Sequence, residues 1–174
     1  TQDTSSDGFV YLVGAGPGDP SYITLRGVQC LKQADVVLYD YLVNPRILQH
    51  VRPGTECLCM GRHGTGKIWK QNEINSECIR LAQQGQQVVR LKSGDPAIFA
   101  RAAEEASAFE SAGIGYEIVP GITAALASGT CAGIPLTHRD KASSVALITG
   151  HERDGKGESS LDLSLIHISE PTSL

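Results

Sequence analysis

The chain has 174 residues, 41% of them hydrophobic and few aromatic, with a net charge of −4 and an isoelectric point near 5.7. That length bounds it to one ordinary domain, or one domain and a fragment of another, with enough apolar residues for a real core. The acidic balance argues against a dedicated nucleic-acid binder, and no apolar run approaches membrane-spanning length.

Taken in chain order, residues 1–7 are polar, lack a signal-peptide pattern and are expected to form a disordered tail. Val10-Tyr11-Leu12-Val13 has strand character and runs into the glycine-rich turn Gly14-Ala15-Gly16-Pro17-Gly18-Asp19-Pro20. Leu25, Val28 and Leu31 then mark one face of a helix, with Ser21 or Thr24 as its N-cap. Val36-Val37-Leu38-Tyr39 is a continuous apolar run ending at Asp40, the pattern of a strand covered on both faces. Pro45 opens a short helix over 46–51, which Pro53-Gly54 ends.

Alternation along Glu56-Cys57-Leu58-Cys59-Met60 reads as a strand with core cysteines rather than a metal site. Five cysteines without framework spacing point to buried thiols in a reducing, cytoplasmic setting. Residues 61–66 read as a polar loop. Ile74, Cys78, Leu81 and Ala82 lie at helical intervals closed by Gly85. Val88-Val89-Arg90-Leu91 is a strand leading to a second turn with the same ending, Gly94-Asp95-Pro96. An alanine-rich helix follows to about Ala112, then a strand over 116–119, the turn Pro120-Gly121, a helix over 122–127 and a strand over 144–149. Strand and helix repeated in this way predict an α/β fold with a mostly parallel sheet and crossover helices. Beyond His151 the pattern dissolves, and the last residues are expected to be non-native.

The two Gly-Asp-Pro turns are the sequence's main functional signal. A glycine turn at the C-terminal end of a parallel strand is where an open α/β sheet binds its ligand, and two suggest an edge that grips one extended molecule at two points. The first begins like a dinucleotide fingerprint, but Asp19 replaces its last glycine and Pro17 removes a backbone N–H. The loop therefore suits a nucleoside without phosphates, and S-adenosylmethionine fits that description. Asp95 supplies a carboxylate at a strand end, or else caps the next helix. Asp40 could hydrogen-bond a ribose, act as a base, or simply be a solvated strand-end carboxylate. Two basic groups, one of Arg62, His63, Lys67 and Lys70 and one of His138, Arg139 and Lys141, suggest a polyanionic substrate.

These segments, with Val119-Pro120-Gly121-Ile122-Thr123-Ala124-Ala125, Gly133-Ile134-Pro135-Leu136-Thr137-His138-Arg139 and Thr149-Gly150-His151, occur in an ordered set. Together they resemble the uroporphyrinogen-III C-methyltransferases of the tetrapyrrole methylase family, over roughly residues 8–155. The resemblance implies two α/β domains flanking an active-site cleft, usually in a homodimer. It also implies S-adenosylmethionine as donor, S-adenosylhomocysteine as product, and two methylations of uroporphyrinogen III in the sirohaem and cobalamin pathways. By motif position it places Pro17, Ser93, Gly94, Asp95, Ile98, Thr123 and Ala124 at the cofactor, Asp40 as proton acceptor, and Arg62 where a lysine usually donates a proton. His138 and Arg139 are the substrate-binding candidates.

Arg62 departs from the family, since an arginine is effectively always protonated and is a poor proton donor. Ser93 replaces a frequent glycine. On this reading 8–151 is the N-terminal methylase domain, and 152–174 starts a second domain that is largely missing, which leaves the activity of this chain weak or absent. The competing readings are a precorrin methyltransferase of the same fold, a nicotinamide-dependent oxidoreductase with Asp40 on the ribose, and a non-catalytic cofactor-binding fragment. None requires a metal, nucleic acid or membrane.

Overall fold

The computed structural model describes residues 7–61 and 69–149. Arg62 and the Gly150-His151 motif, like the expected boundary at residue 151, lie outside the described residues. Contacts divide the chain into two compact units, the first ending at Ala124 and the second starting at Ala125.

The first unit is a five-stranded sheet in which every paired neighbour runs parallel. Its strands are β1 (Phe9–Gly14), β2 (Val36–Tyr39), β3 (Glu56–Cys59), β4 (Gln87–Lys92) and β5 (Gly115–Val119), in spatial order β3-β2-β4-β1-β5. Parallel strands cannot be joined by tight hairpins, so helices α1 (Leu25–Gln33), α2 (Gln71–Gln83) and α3 (Ala102–Ser111) carry three of the returns. Two 3-10 turns, Pro20–Tyr22 and Pro45–His50, each open on a proline after a side-chain cap, Asp19 and Asn44 respectively.

Two apolar layers sandwich the sheet. One joins Val10, Leu12, Leu38 and Val88 to Ile74, Cys78, Leu81 and Ala82 of α2 and to Phe109 of α3. The other joins Val13, Val37, Val89 and Leu91 to Cys30 and Leu31 of α1 and to Ile47. The buried stripe of α2 is the one its spacing predicts, and Gly85 closes that helix with φ +81°. For α1 the N-cap is Thr24, whose Oγ1 accepts from Gly27 N at 3.1 Å, and of the predicted face Leu31 is buried and Val28 half-buried but Leu25 is not. The helix buries Gly27, Cys30 and Leu31, and Leu25 is 84% exposed because two residues of helical rotation turn it about 200° from Gly27.

One further expectation shifts and another fails. The helix expected over 122–127 is α4 (Ala124–Cys131), because the chain at Gly121 is held against the neighbouring turns and the helix starts only at Ala124. The strand expected over 144–149 does not form: it has no ladder partner among the described residues, and Val145, Leu147 and Ile148 are exposed. The second unit has only Ala127 buried among its described residues. No helix among the described residues is long and apolar enough to cross a membrane.

Candidate functional site

Parallel register puts the candidate residues of the first unit on one edge. Cys59, Tyr39, Leu91, Val13 and Val119 pair in a single row across the sheet. Immediately past that row the chain emerges as Asp40, as the turn after β4, as the turn after β1 and as Pro120-Gly121. This is the C-terminal edge of the strands, where doubly wound sheets bind ligands.

The two Gly-Asp-Pro turns form one object rather than two separate grips. Gly16 N donates to Gly94 O at 3.1 Å, Gly94 N donates to Gly16 O at 2.8 Å, and Ala15 N donates to Lys92 O at 2.7 Å. The third turn locks onto the pair. A Cβ on Gly121 would lie 2.2 Å from Gly94 O and 2.8 Å from Gly14 Cα, so only glycine lets the three backbones meet. Gly94 has φ +69°, a second reason for glycine at that position. A Cβ there would meet Thr123 Cα at 3.7 Å, so Gly94 and Thr123 are neighbours across the cradle.

Asp95 stitches this cradle together. Its Oδ1 accepts from Ala97 N at 2.7 Å and its Oδ2 from Gly121 N at 2.9 Å. Ile98 N donates to Asp95 O at 3.1 Å, closing the turn. Asp95 is thus more than a local cap, and both its carboxylate oxygens are already engaged. Asp19 differs: its Oδ1 accepts from Ser21 N at 2.8 Å and Ser21 Oγ at 2.7 Å, and these hydroxyl and amide bonds hold its carboxyl below the usual aspartate range. Pro17, Ser93, Gly94, Asp95, Ile98 and Thr123 all belong to these turns, and Ala124 opens α4 beside them.

Asp40 is not a solvated strand-end carboxylate. Its Oδ1 is ion-paired with Arg90 Nη2, and its side chain is 31% exposed where Arg90 is 2% exposed. Arg90 Nε reaches Glu105 Oε1 at 3.2 Å, and Gln71 Nε2 donates to the same oxygen at 3.0 Å. Lys92 Nζ lies 2.8 Å from Glu105 Oε2 without hydrogen-bond alignment, so that contact is an ion pair alone. Burial works against the charge on Arg90, but the carboxylates of Asp40 and Glu105 more than offset it and hold its pKa above the ordinary arginine value. Burial pushes the nearby Cys78 thiol up to about 12, so it stays neutral.

A cavity of about 560 Å³ opens beside this network, with Met60, Trp69 and Phe99 among its apolar walls and Asp40, Arg90 and Lys92 among its polar ones. Phe99 and Arg101 border it in left-handed backbone conformations, with φ +50° and +58°, a strain that non-glycine residues tolerate only where surrounding structure enforces it. The sequence reading missed Arg90, Lys92 and Glu105. The available signal was two cations at i and i+2 in an otherwise apolar strand, which places both on one buried face. His138 and Arg139 lie in the second unit, where His138 pairs with Ala142 and its Nδ1 accepts from Asp140 N at 3.2 Å.

Comparison with known proteins gives a consistent result. The model of the family described as Tetrapyrrole (Corrin/Porphyrin) Methylases matches residues 10–166. The chain is 55% identical over 148 residues to the siroheme synthase of Sodalis glossinidius (strain morsitans), covering 85% of this chain and 31% of that protein. It is 50% identical over 156 residues to the uroporphyrinogen-III C-methyltransferase of Bacillus subtilis (strain 168), covering 90% of this chain and 32% of that one. Among solved structures, the uroporphyrin-III C-methyltransferase of Thermus thermophilus complexed with S-adenyl homocysteine superposes with a TM-score of 0.66 at 46% identity, covering 79% of this chain and 57% of that chain. A cobalt precorrin-4 methyltransferase superposes with a TM-score of 0.68 at 36% identity, covering 78% and 55%. The chain spans about a third of the length of the curated relatives it matches.

Proposed function

The chain belongs to the tetrapyrrole methylase family, and on that premise we propose that it serves S-adenosylmethionine-dependent C-methylation of uroporphyrinogen III, two transfers that yield precorrin-2. The observation that carries this reading is the placement of Asp40 on the same sheet edge as the glycine cradle, one strand away from the turn at Gly94. The cradle fits a nucleoside donor. Its backbones approach without side chains between them, and its charged groups at positions 19 and 95 are carboxylates, which favour a sulfonium cation over a pyrophosphate.

When bound, S-adenosylmethionine supplies an electrophilic methyl group to an electron-rich pyrrole carbon. In our reading Pro17, Ser93, Gly94, Asp95, Ile98, Thr123 and Ala124 hold the donor. Asp95 does so through its backbone, since Ala97 and Gly121 occupy its side chain. Asp40 takes up the proton released from the substrate. Arg90 fixes one of its oxygens, and the other has no hydrogen-bond partner among the described residues. Arg62, at the position of the family's lysine, holds a substrate carboxylate rather than giving up a proton. His138 and Arg139 bind further carboxylates of the tetrapyrrole, and the protein works as a homodimer.

Titration calorimetry with S-adenosylhomocysteine and with NAD separates this reading from an oxidoreductase; binding of NAD alone would overturn it. Incubation with labelled donor and uroporphyrinogen III then reads transfer directly. A second reading is donor binding without turnover, carried by the glycine cradle alone. Binding without labelled product selects it.

A further inference from the structure

We infer that Glu105 is a positioning residue for Asp40 and acts through Arg90. The inference rests on the reading of Asp40 as the proton acceptor.

The argument starts from β4, the middle strand of the sheet. Val88, Arg90 and Lys92 share the face covered by α2 and α3, so two cations enter a layer that otherwise holds Leu38, Cys78 and Phe109. Buried charges are tolerated only with close counter-charges. Glu105, on the first turn of α3 and 0% exposed, is the counter-charge both cations touch. The helix N-terminus also favours an anion there.

Arg90 spans the distance from Glu105 to Asp40. Its Nε faces Glu105, its Nη2 faces Asp40, and its Nη1 donates to Leu38 O at 3.4 Å and Leu91 O at 3.5 Å. A planar guanidinium fixed at one end is fixed at the other, so the carboxylate at the Nε end sets where Asp40 sits. Among the described residues the bonds of Glu105 go to Gln71, Arg90 and Lys92, none to Asp40. Any influence of Glu105 on Asp40 therefore passes through Arg90. The charges of the four groups balance, two cations against two carboxylates. Removing the charge of Glu105 leaves Asp40 as the remaining carboxylate for both cations. Arg90 then loses the anchor at its Nε end, and Asp40 loses the fixed partner that holds it at the rim of the cavity.

A merely structural ion pair would not need this arrangement, because well-packed apolar residues do as well or better in a core. The network also grades from buried to open toward the cavity: Glu105, Arg90 and Lys92 are at most 3% exposed, whereas Asp40 is 31% exposed.

The test uses the whole chain and two NMR signals, the Arg90 Nε–H resonance and the Asp40 side-chain carboxyl resonance. In Glu105→Gln, solvent exchange at Arg90 Nε–H should quicken by about tenfold or more, and the Asp40 carboxyl signal should move while that of Asp95 stays in place. Where transfer is measurable, kcat should fall by about tenfold with KM for the donor within about twofold, and Glu105→Asp should recover part of the loss. An Asp40 signal that stays put in a folded Glu105→Gln protein overturns the inference. If that variant does not fold, Gln71→Leu removes the bond to Glu105 Oε1 without baring a charge and should move both signals the same way by less; unmoved signals overturn the inference equally. Full transfer by Asp40→Asn would sink the acceptor reading alone, and an unmoved Asp40 signal would sink the coupling alone.

Discussion

The same tripeptide does two different jobs in this molecule. In both Gly-Asp-Pro turns one aspartate oxygen accepts from the backbone N–H two residues on, at Ser21 in the first and Ala97 in the second. There the likeness ends. The remaining bond of Asp19 is the Ser21 hydroxyl, so its reach is local, whereas Asp95 sends its second oxygen to Gly121 N, 26 residues away. Sheet order does not make this difference, since β1 itself lies between β4 and β5 and Gly14 also meets Gly121 backbone to backbone. The turn after β4 lies between the ends of β2 and β1, and its glycine is in backbone contact with the turn after β5. The turn after β1 instead leads outward to an exposed 3-10 helix. A shared motif therefore identifies turn chemistry, while the path of the chain after the turn decides how far its aspartate reaches.

The largest expected effect comes from breaking the junction where the three turns meet. Gly121→Ala puts a methyl 2.2 Å from Gly94 O, where backbone rather than a flexible side chain must move. We expect a loss of about 3 kcal/mol in urea unfolding and no detectable S-adenosylhomocysteine binding. A variant as stable as the parent would mean that the three turns do not meet as described. Asp95→Ala comes next. It strips the bonds to Ala97 N and Gly121 N, the second partly buried, and should cost about 2 kcal/mol. Donor affinity should fall with it, since the loop carrying Thr123 loses its tie. Asp40→Asn sharpens the comparison differently, by leaving the cradle whole. Transfer should drop by about a hundredfold with donor affinity nearly unchanged, and equal losses of both would place Asp40 in donor binding instead.

The sheet was legible because its strands are short apolar runs between glycine and proline signals, and parallel pairing follows from the intervening helices. The stripe Ile74, Cys78, Leu81 and Ala82 was read correctly because α2 is long enough for its period to stand out. Leu25 misled because a single turn of α1 offers several apolar phases, and only contact with the sheet selects Gly27, Cys30 and Leu31. The segment around Val145 misled in the other direction: its apolar pattern suits a strand, but a strand also needs an edge to pair with. In the site, the turns and Asp40 were visible as motifs. The ion network behind Asp40 was not, since Arg90, Lys92 and Glu105 are joined by β4 lying opposite the first turn of α3, a relation no local pattern encodes.

The smallest effect belongs to the first turn, and it has a sign that pH can read. Hydrogen bonds from the Ser21 hydroxyl and amide lower the Asp19 pKa in the folded chain below its ordinary value of 3.8. A carboxylate depressed in this way contributes stability that is fully present above its unfolded value and is lost as pH falls through its folded value. Asp19→Ala should therefore shift the urea midpoint slightly at pH 7 and by less in acid well below 3.8, where the wild-type carboxyl is itself protonated. Taking the difference between the two proteins at each pH removes the titration of every other carboxylate they share. Because Asp19 is exposed and its partners lie two residues away, the neutral-pH shift should be far smaller than that of Asp95→Ala. A loss as large as that of Asp95→Ala would mean that Asp19 also ties the edge together, and the contrast between the two aspartates would collapse.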